Sequence, residues 1–550
     1  MTDAQEGSDV SRRTFLHASA AAALVASTMT PQRAHASAIR AESPGAPADD
    51  FTLAELSIAE LSDGMTRGKY PAHSITQQYL DHIAALDRQG PMLRYVIETN
   101  PDALMIADSL DAERRAGKLR GPMHGIPVLV KDNIDSADRM TTTAGSRALE
   151  GHTPVRDAHV VALLRAAGAI VLGKTNLSEW ANFRSTHSSS GWSGRGGQAR
   201  NPYALDRTPS GSSSGSAGAA ASSYCAVAVG TETDGSITSP AAACSLVGLK
   251  PTIGLVSRSG IIPIAHTQDT AGPMARTVRD AAMLLGVLAG KDPRDAATNR
   301  APGSSADAYV RALDIAGLKG ARIGVARAKY TGYNTHADAL FETALHAMKD
   351  AGAVIVDPAD IKTAGKFDDA EYEVLLYEFK ADLEAYLGTQ PAGARARTLD
   401  DLIAFNNAHG PEEMPYFKQE IFEQAAKKGP LSSAAYRKAL AKCGRLARVE
   451  GLDATFARHR LDAIVAPTQG PPALIDLVNG DPSGGSSTSP CAVAGYPAIT
   501  VPMGYAFGLP LGITFMGKAW SEATLLKLAY AYEQATKVRV PPRFLATAQL

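Results

Sequence analysis

The sequence predicts an α/β fold in which a β-sheet is covered by helices on both faces. Three observations predict it. Between residues 126 and 231, short apolar runs alternate with helical patterns, the order expected of a sheet with helical connections. From 369 to 458 the chain reads as largely helical. After 461, apolar runs of strand length return, so the segments on either side of the helical block are expected to share one core, with the block as an insertion beside the sheet.

Taken in order, "LAELSIAELSDGM" (Leu53 to Met65), "ITQQYLDHIAALDRQ" (Ile75 to Gln89) and "ALMIADSLDAERRAG" (Ala103 to Gly117) carry apolar residues at three-to-four spacing and predict three entry helices. "IPVLVKD" predicts a strand, "DAHVVALLRAAG" a helix, "AIVLGKT" a strand, "GSAGAAASS" a small-residue helix and "YCAVAVGT" a strand. Within the helical block, "EYEVLLYEFKADLEAYL" and "AAYRKALAKCGRLARVEGLDATF" are the clearest segments. "LDAIVAP", "YPAITVPM" and "LGITFMG" predict strands, and "EATLLKLAYAYEQAT" closes as a helix. The tract "GDPSGGSSTS" (Gly480 to Ser489) reads as a loop that is exposed or borders a site.

Composition narrows the function classes. Of 550 residues, 45% are hydrophobic and 20% charged, the balance of a globular chain with a large core. A net charge of −1 favours neither nucleic acid nor an anionic membrane surface, and fits a small neutral or mixed substrate. Residues 1–36 read as a targeting segment: Arg12 and Arg13, an apolar run from Ala18 to Ala26, then Ala34-His35-Ala36 as a small-x-small cleavage site. The pattern resembles a twin-arginine export signal. It predicts a mature chain starting near Ser37, spanning 37–550, in the periplasm or outside the cell. Cys225, Cys244, Cys443 and Cys491 are too few and too scattered for a disulfide scaffold; the spacing leaves one bridge open, and their apolar surroundings favour free core thiols. No CxxC or HExxH spacing occurs.

Two motif matches fail on context. "GAIVLGKT", Gly168 to Thr175, fits GxxxxGK[ST], but its four intervening residues are apolar strand formers, so they would not curl around a phosphate. Gly211-Ser212-Ser213-Ser214-Gly215 fits the GxSxG nucleophile elbow, which needs an apolar strand before it; here "RNPYALDRTPS" is polar and contains prolines. Ser213 is therefore weak as an elbow nucleophile. A serine can instead be activated by a neutral lysine, provided burial pulls the amine's pKa down from about 10.4 towards neutrality. Lys131 leaves the apolar run Pro127 to Val130 and meets that condition, although a strand-end lysine with its ammonium in water is the ordinary alternative.

Four separated blocks carry a resemblance: "GIPVLVKDNI", "TPSGSSSGSAGAAASS", "GTETDGSITSPAAACSLVGLKPTIGLVSRSG" and "QDTAGPMARTVRDAA". Together they resemble the amidase signature family, and "LPLGITFMGKAWSEATLLKLAYAYEQ" is similar to its C-terminal segment. The resemblance implies one large domain with a mixed central sheet and a signature core at about 120–290. It implies hydrolysis of carboxamides by a Ser-Ser-Lys triad: Lys131 as base, Ser212 in a cis peptide bond as relay and Ser236 as nucleophile. Ser212 and Ser236 stand 24 residues apart, the family's spacing. The backbone N–H groups of Thr233, Asp234, Gly235 and Ser236 would form the oxyanion hole. Ser210 and Ser214 depart from the pattern by standing where glycine is common, and Asp234 departs from it by standing before Gly235 in the oxyanion loop.

No metal or organic cofactor is implied. The combination of "GTETDGS" with an export signal is most similar to the peptide amidases of bacteria, which remove the C-terminal amide of peptides. The expected partner is a small amide or short peptide amide, with no nucleic acid and no stable membrane association; the oligomeric state stays open. A general periplasmic amidase or aryl-acylamidase is the alternative. A non-catalytic binding protein on the same fold would have no need of Lys131, Ser212 and Ser236 together.

Overall fold

The computed structural model describes residues 51–550 apart from 304, 391, 392 and 483. The expected export segment, 1–36, lies outside the described residues. The capping box of Ser57 and Glu60 starts the first helix at Ile58, not at Leu53 as the apolar spacing predicts. Leu53 is instead buried within a turn.

Among the described residues, thirteen strands follow in chain order. They are β1 (Val96–Thr99), β2 (Pro127–Lys131), β3 (Ile170–Thr175), β4 (Trp192–Ser193), β5 (Gly197–Gln198), β6 (Val227–Glu232), β7 (Val247–Lys250), β8 (Thr270–Ala275), β9 (Arg322–Val325), β10 (Val354–Val356), β11 (Ala463–Pro467), β12 (Ala498–Ala506) and β13 (Leu509–Met516). β4 and β5 form a separate ribbon; the other eleven make one sheet in the order β1-β3-β2-β6-β8-β7-β12-β13-β11-β9-β10. Pairing is parallel along β3-β2-β6 and β11-β9-β10 and antiparallel elsewhere, so the sheet is mixed. β2, β3, β6, β8 and β13 are buried along their whole length, which is why they read as continuous apolar runs rather than alternating ones.

Two features of the sequence are settled here. β3 contains Ile170, Val171 and Leu172, three of the four apolar residues of the phosphate-loop match, and Lys174 near its end is buried, donating to Thr142 Oγ1 at 2.7 Å and to the Ile134 carbonyl. All four cysteines are buried and unpaired.

Between β10 and β11 the chain is mainly helical, beginning with Asp368–Gly388 and ending with Ala454–His459. The first of these helices packs Phe379 and Leu383 in one apolar cluster with Trp180, Phe183, Ile262 and Ile264, which belong to segments outside the helical run. This places one face of the helix beside the loops that follow β3 and β7. Among the described residues, no helix is long and apolar enough to cross a membrane.

Candidate active site

The parallel strands β2 and β6 lie side by side. Lys131 is the last residue of β2, fully buried. Its Nζ lies 2.8 Å from Ser212 Oγ, 2.9 Å from Thr231 Oγ1 and 3.4 Å from the Thr231 carbonyl. Thr231 comes from β6, and Asn133 Nδ2 also donates to its hydroxyl at 3.0 Å. Burial lowers the Lys131 pKa to about 7, against the opposing pull of Asp269 and Glu232. The amine is thus close to half neutral at neutral pH.

Ser212 sits in the loop before the small-residue helix Ser214–Ala221. The Gly211–Ser212 peptide bond is cis, and a Cβ on Gly211 would stand 2.2 Å from Ser178 Oγ, so the chain passes there without a side chain. Ser212's carbonyl accepts from Ser178 N–H at 3.0 Å. The neighbouring Ser213 N–H donates to the Ser236 carbonyl at 3.1 Å, which lays the two serine segments against each other. Ser213 itself bridges the end of β6: its Oγ donates to the Thr231 carbonyl at 3.0 Å and accepts from Thr231 N–H at 3.1 Å. That hydroxyl is tied to backbone, in agreement with the weak elbow context of Ser213.

Thr233 to Ser236 form the turn between β6 and the helix Thr238–Ala243. Gly235 has φ +77°, a left-handed conformation that favours glycine. The turn is pinned from several sides. Glu232 accepts from Ile237 N–H at 2.8 Å and Thr238 N–H at 2.9 Å, at the start of that helix. Thr233 Oγ1 donates to Asp269 at 2.6 Å, and Asp269 also accepts from Ile264 N–H and Ala265 N–H. Burial raises the Asp269 carboxyl to about 6 in spite of those donors. Thr488, from the Gly/Ser loop, donates to Asp234 at 2.5 Å.

A cavity of about 430 Å³ opens beside Thr231 and Thr233. Ile261, Ile262 and Ile264 give it an apolar wall, Asn133 and Asp269 polar groups near Lys131, and Arg258, Arg294 and Asp382 a charged rim. The candidate residues Lys131, Ser212, Thr233, Asp234, Gly235 and Ser236 are therefore brought into one neighbourhood at the ends of β2 and β6.

The Amidase family model matches residues 74–526. The chain belongs to the amidase family. It is 40% identical over 505 residues to a probable amidase of Arabidopsis thaliana, covering 90% of this chain and 93% of that one. Among solved structures, the native peptide amidase of Stenotrophomonas maltophilia superposes with a TM-score of 0.86 at 53% identity, covering 90% of this chain and 99% of its own. A peptide amidase bound to the competitive inhibitor chymostatin matches with the same TM-score at 54% identity, covering 89% and 99%. A more distant relative, a glutamyl-tRNA(Gln) amidotransferase chain of Acinetobacter baumannii, is 35% identical over 492 residues, 88% of this chain and 96% of its own.

The amidase is thus an amide-hydrolysing enzyme whose strand ends carry the residues singled out from sequence. The sequence did not single out Thr231, Glu232 and Asp269 as supports, although all three lie within or beside quoted motifs. Thr488, over 100 residues further along, lies in the Gly/Ser tract read as exposed or bordering a site, but no local signal connects it to Asp234 in particular.

Proposed function

We propose that this amidase removes the C-terminal amide of short peptides and releases ammonia through a Ser236-Ser212-Lys131 relay. The observation that carries the reading is the set of three neighbours around the buried Lys131 Nζ. A neutral amine has two N–H groups and one lone pair; Thr231 Oγ1 and the Thr231 carbonyl take the two donors, leaving the lone pair towards Ser212 Oγ. Peptide amides are favoured by the 53% identity to a peptide amidase and by a cavity that combines an apolar wall with polar groups. The Arg12-Arg13 pattern supports export to the periplasm.

In the reaction, Lys131 accepts the Ser212 hydroxyl proton while Ser212 accepts that of Ser236, whose Oγ attacks the amide carbon. The carbonyl oxygen becomes an oxyanion, met by the backbone N–H groups of residues 233 to 236, which are preorganised by Glu232 and Asp269. The relay returns the proton to the amide nitrogen, the C–N bond breaks and ammonia leaves. Water, deprotonated by the same relay, then hydrolyses the acyl-Ser236 ester, releasing the acid and restoring the hydroxyl.

Ammonia release from an amidated dipeptide, a simple aliphatic amide and the free-acid dipeptide tests the reading. Preference for the amidated dipeptide is expected; equal rates on all small amides would overturn the peptide assignment. Ser236→Ala is expected to lower kcat by about a million-fold, the scale on which removing the nucleophile of a catalytic triad acts. Retention of activity by that variant would sink the mechanism.

A further inference from the structure

Asp234 raises a question that the relay leaves open. It stands immediately before Gly235 and Ser236, where its charge would oppose an oxyanion forming nearby. It is half-buried, and its carboxyl is within hydrogen-bonding reach of a second carboxyl, that of Glu371, from the helix Asp368–Gly388. Glu371 is itself buried and accepts from Gln268 Nε2 at 2.9 Å.

We propose that Glu371 is a positioning residue: as a neutral carboxylic acid it donates a hydrogen bond to the Asp234 carboxylate and so fastens the oxyanion turn to the helical run. The inference rests on the reading of residues 233 to 236 as the oxyanion turn. Two carboxyls in contact, one buried and one half-buried, hold one proton between them, because two adjacent negative charges largely shielded from water repel. The surrounding groups decide where the proton sits. Thr488 Oγ1 donates to Asp234, and the nearby Ser489 and Lys250 favour its charge. Glu371 faces Asp234 and Asp368, and burial together with those charges pushes its pKa well above the usual carboxyl range.

The remaining groups near the pair are Glu232, Tyr330, Cys443 and Cys491, none of which supplies positive charge. The acid proton therefore stays on Glu371 and points to Asp234. The pair carries a single negative charge, spread over two groups. When Glu371 ionises, the hydrogen bond is lost and a second negative charge appears beside the turn. Transition-state stabilisation suffers while the substrate cavity is unchanged, so kcat falls and KM does not.

The test compares wild type, Glu371→Ala and Glu371→Gln across pH, with the amide that wild type hydrolyses best. Glu371→Ala is expected to lose about 10- to 100-fold in kcat with KM nearly unchanged, the scale on which misplaced catalytic groups act. Glu371→Gln restores the donor without an ionisable proton, so it should recover most of that loss and lack the alkaline fall in kcat expected of wild type. A Glu371→Gln profile identical to wild type, or a Glu371→Ala enzyme with intact kcat, would overturn the proposal.

A second arm needs no substrate, so it decides the matter even if the peptide-amide reading fails. Folded wild type holds a proton at Glu371 that the unfolded chain releases above about pH 4.3, so its stability falls as pH rises. The melting temperature of Glu371→Gln relative to wild type should therefore climb between about pH 5 and about pH 8. A pH-independent difference would mean that Glu371 is ionised in the fold, and the proposal would be wrong.

Discussion

At the scale of single residues, the proposed relay depends on a lysine whose burial weakens its hold on its proton. Lys131 is fully buried, its Nζ touches three oxygens, and desolvation brings its pKa to about 7. The sign of the resulting pH dependence follows directly. Below about 7 the ammonium has no lone pair and cannot accept the Ser212 proton; above it the amine can. The pH profile of kcat/KM is expected to rise through that value, and Lys131→Met should abolish the rise together with nearly all turnover. A Lys131→Met enzyme with the wild-type profile would remove Lys131 from the relay.

The legibility of this lysine has a simple cause. "PVLVK" is a buried strand, and a lysine ending such a strand must leave apolar surroundings in one direction or the other. What the strand does not reveal is that the amine points inward to Thr231 rather than outward to water. Ser213 makes the same point in reverse: a motif match made it a nucleophile candidate, and its bonds to the Thr231 backbone make it a strand fastener.

At the scale of elements, the helical run between β10 and β11 is fixed to the strand-end loops by a buried charge cluster. Arg184 is fully buried, with Nε 3.1 Å from Glu179 Oε1, and its guanidinium stacks on Phe417 at 4.5 Å and Trp192 at 5.6 Å. Glu413, from the helical run, accepts from Arg147 N–H at 2.7 Å and from Ser146 Oγ at 3.2 Å. Burial, and Glu413 close by, raise Glu179 to about 8, with Arg184 pulling the other way. Arg184→Met keeps the stacking volume and removes the charge, leaving two acids without their cation in a dry site. Urea unfolding should show a loss of about 3 to 5 kcal/mol, the usual cost of breaking a buried pair by deleting one partner. A loss under about 1 kcal/mol would show that the cluster contributes no such clamp.

Element boundaries were the less legible part of the fold. The closing helix, Glu522–Thr536, coincides with the apolar pattern that predicts it. The first helix starts five residues after its pattern does, because Ser57 caps it at that point while Leu53 is buried from a turn. Apolar spacing reports which residues are buried; the capping bond decides where the helix begins.

At the scale of the whole molecule, the sheet order explains why the chain does not divide at the helical run. β12 and β13, near the C-terminus, lie between β7 and β11, in the middle of the sheet and not at an edge. Removing everything after residue 497 would strip both strands out and expose the inner edges of β7 and β11. That truncated chain is expected to be insoluble or to lack a cooperative melting transition by far-UV circular dichroism. A soluble fragment that melts cooperatively would contradict the shared core.

Residue order alone was enough for the sheet-and-helix class, the return of strands after the helical block, and the family, with Lys131, Ser212 and the turn from Thr233 to Ser236 in chain order. These were legible because strand burial, glycine-dependent turns and short motifs are local properties of neighbouring residues. The groups that support them emerge only in the folded chain. Thr231 takes two donors of the lysine, Asp269 ties down Thr233, and Glu371 and Thr488 converge on Asp234 from more than 100 residues away. Proximity of that kind is made by strand order and helix packing, and pKa values follow from the burial it creates, so neither is written in any local stretch of residues.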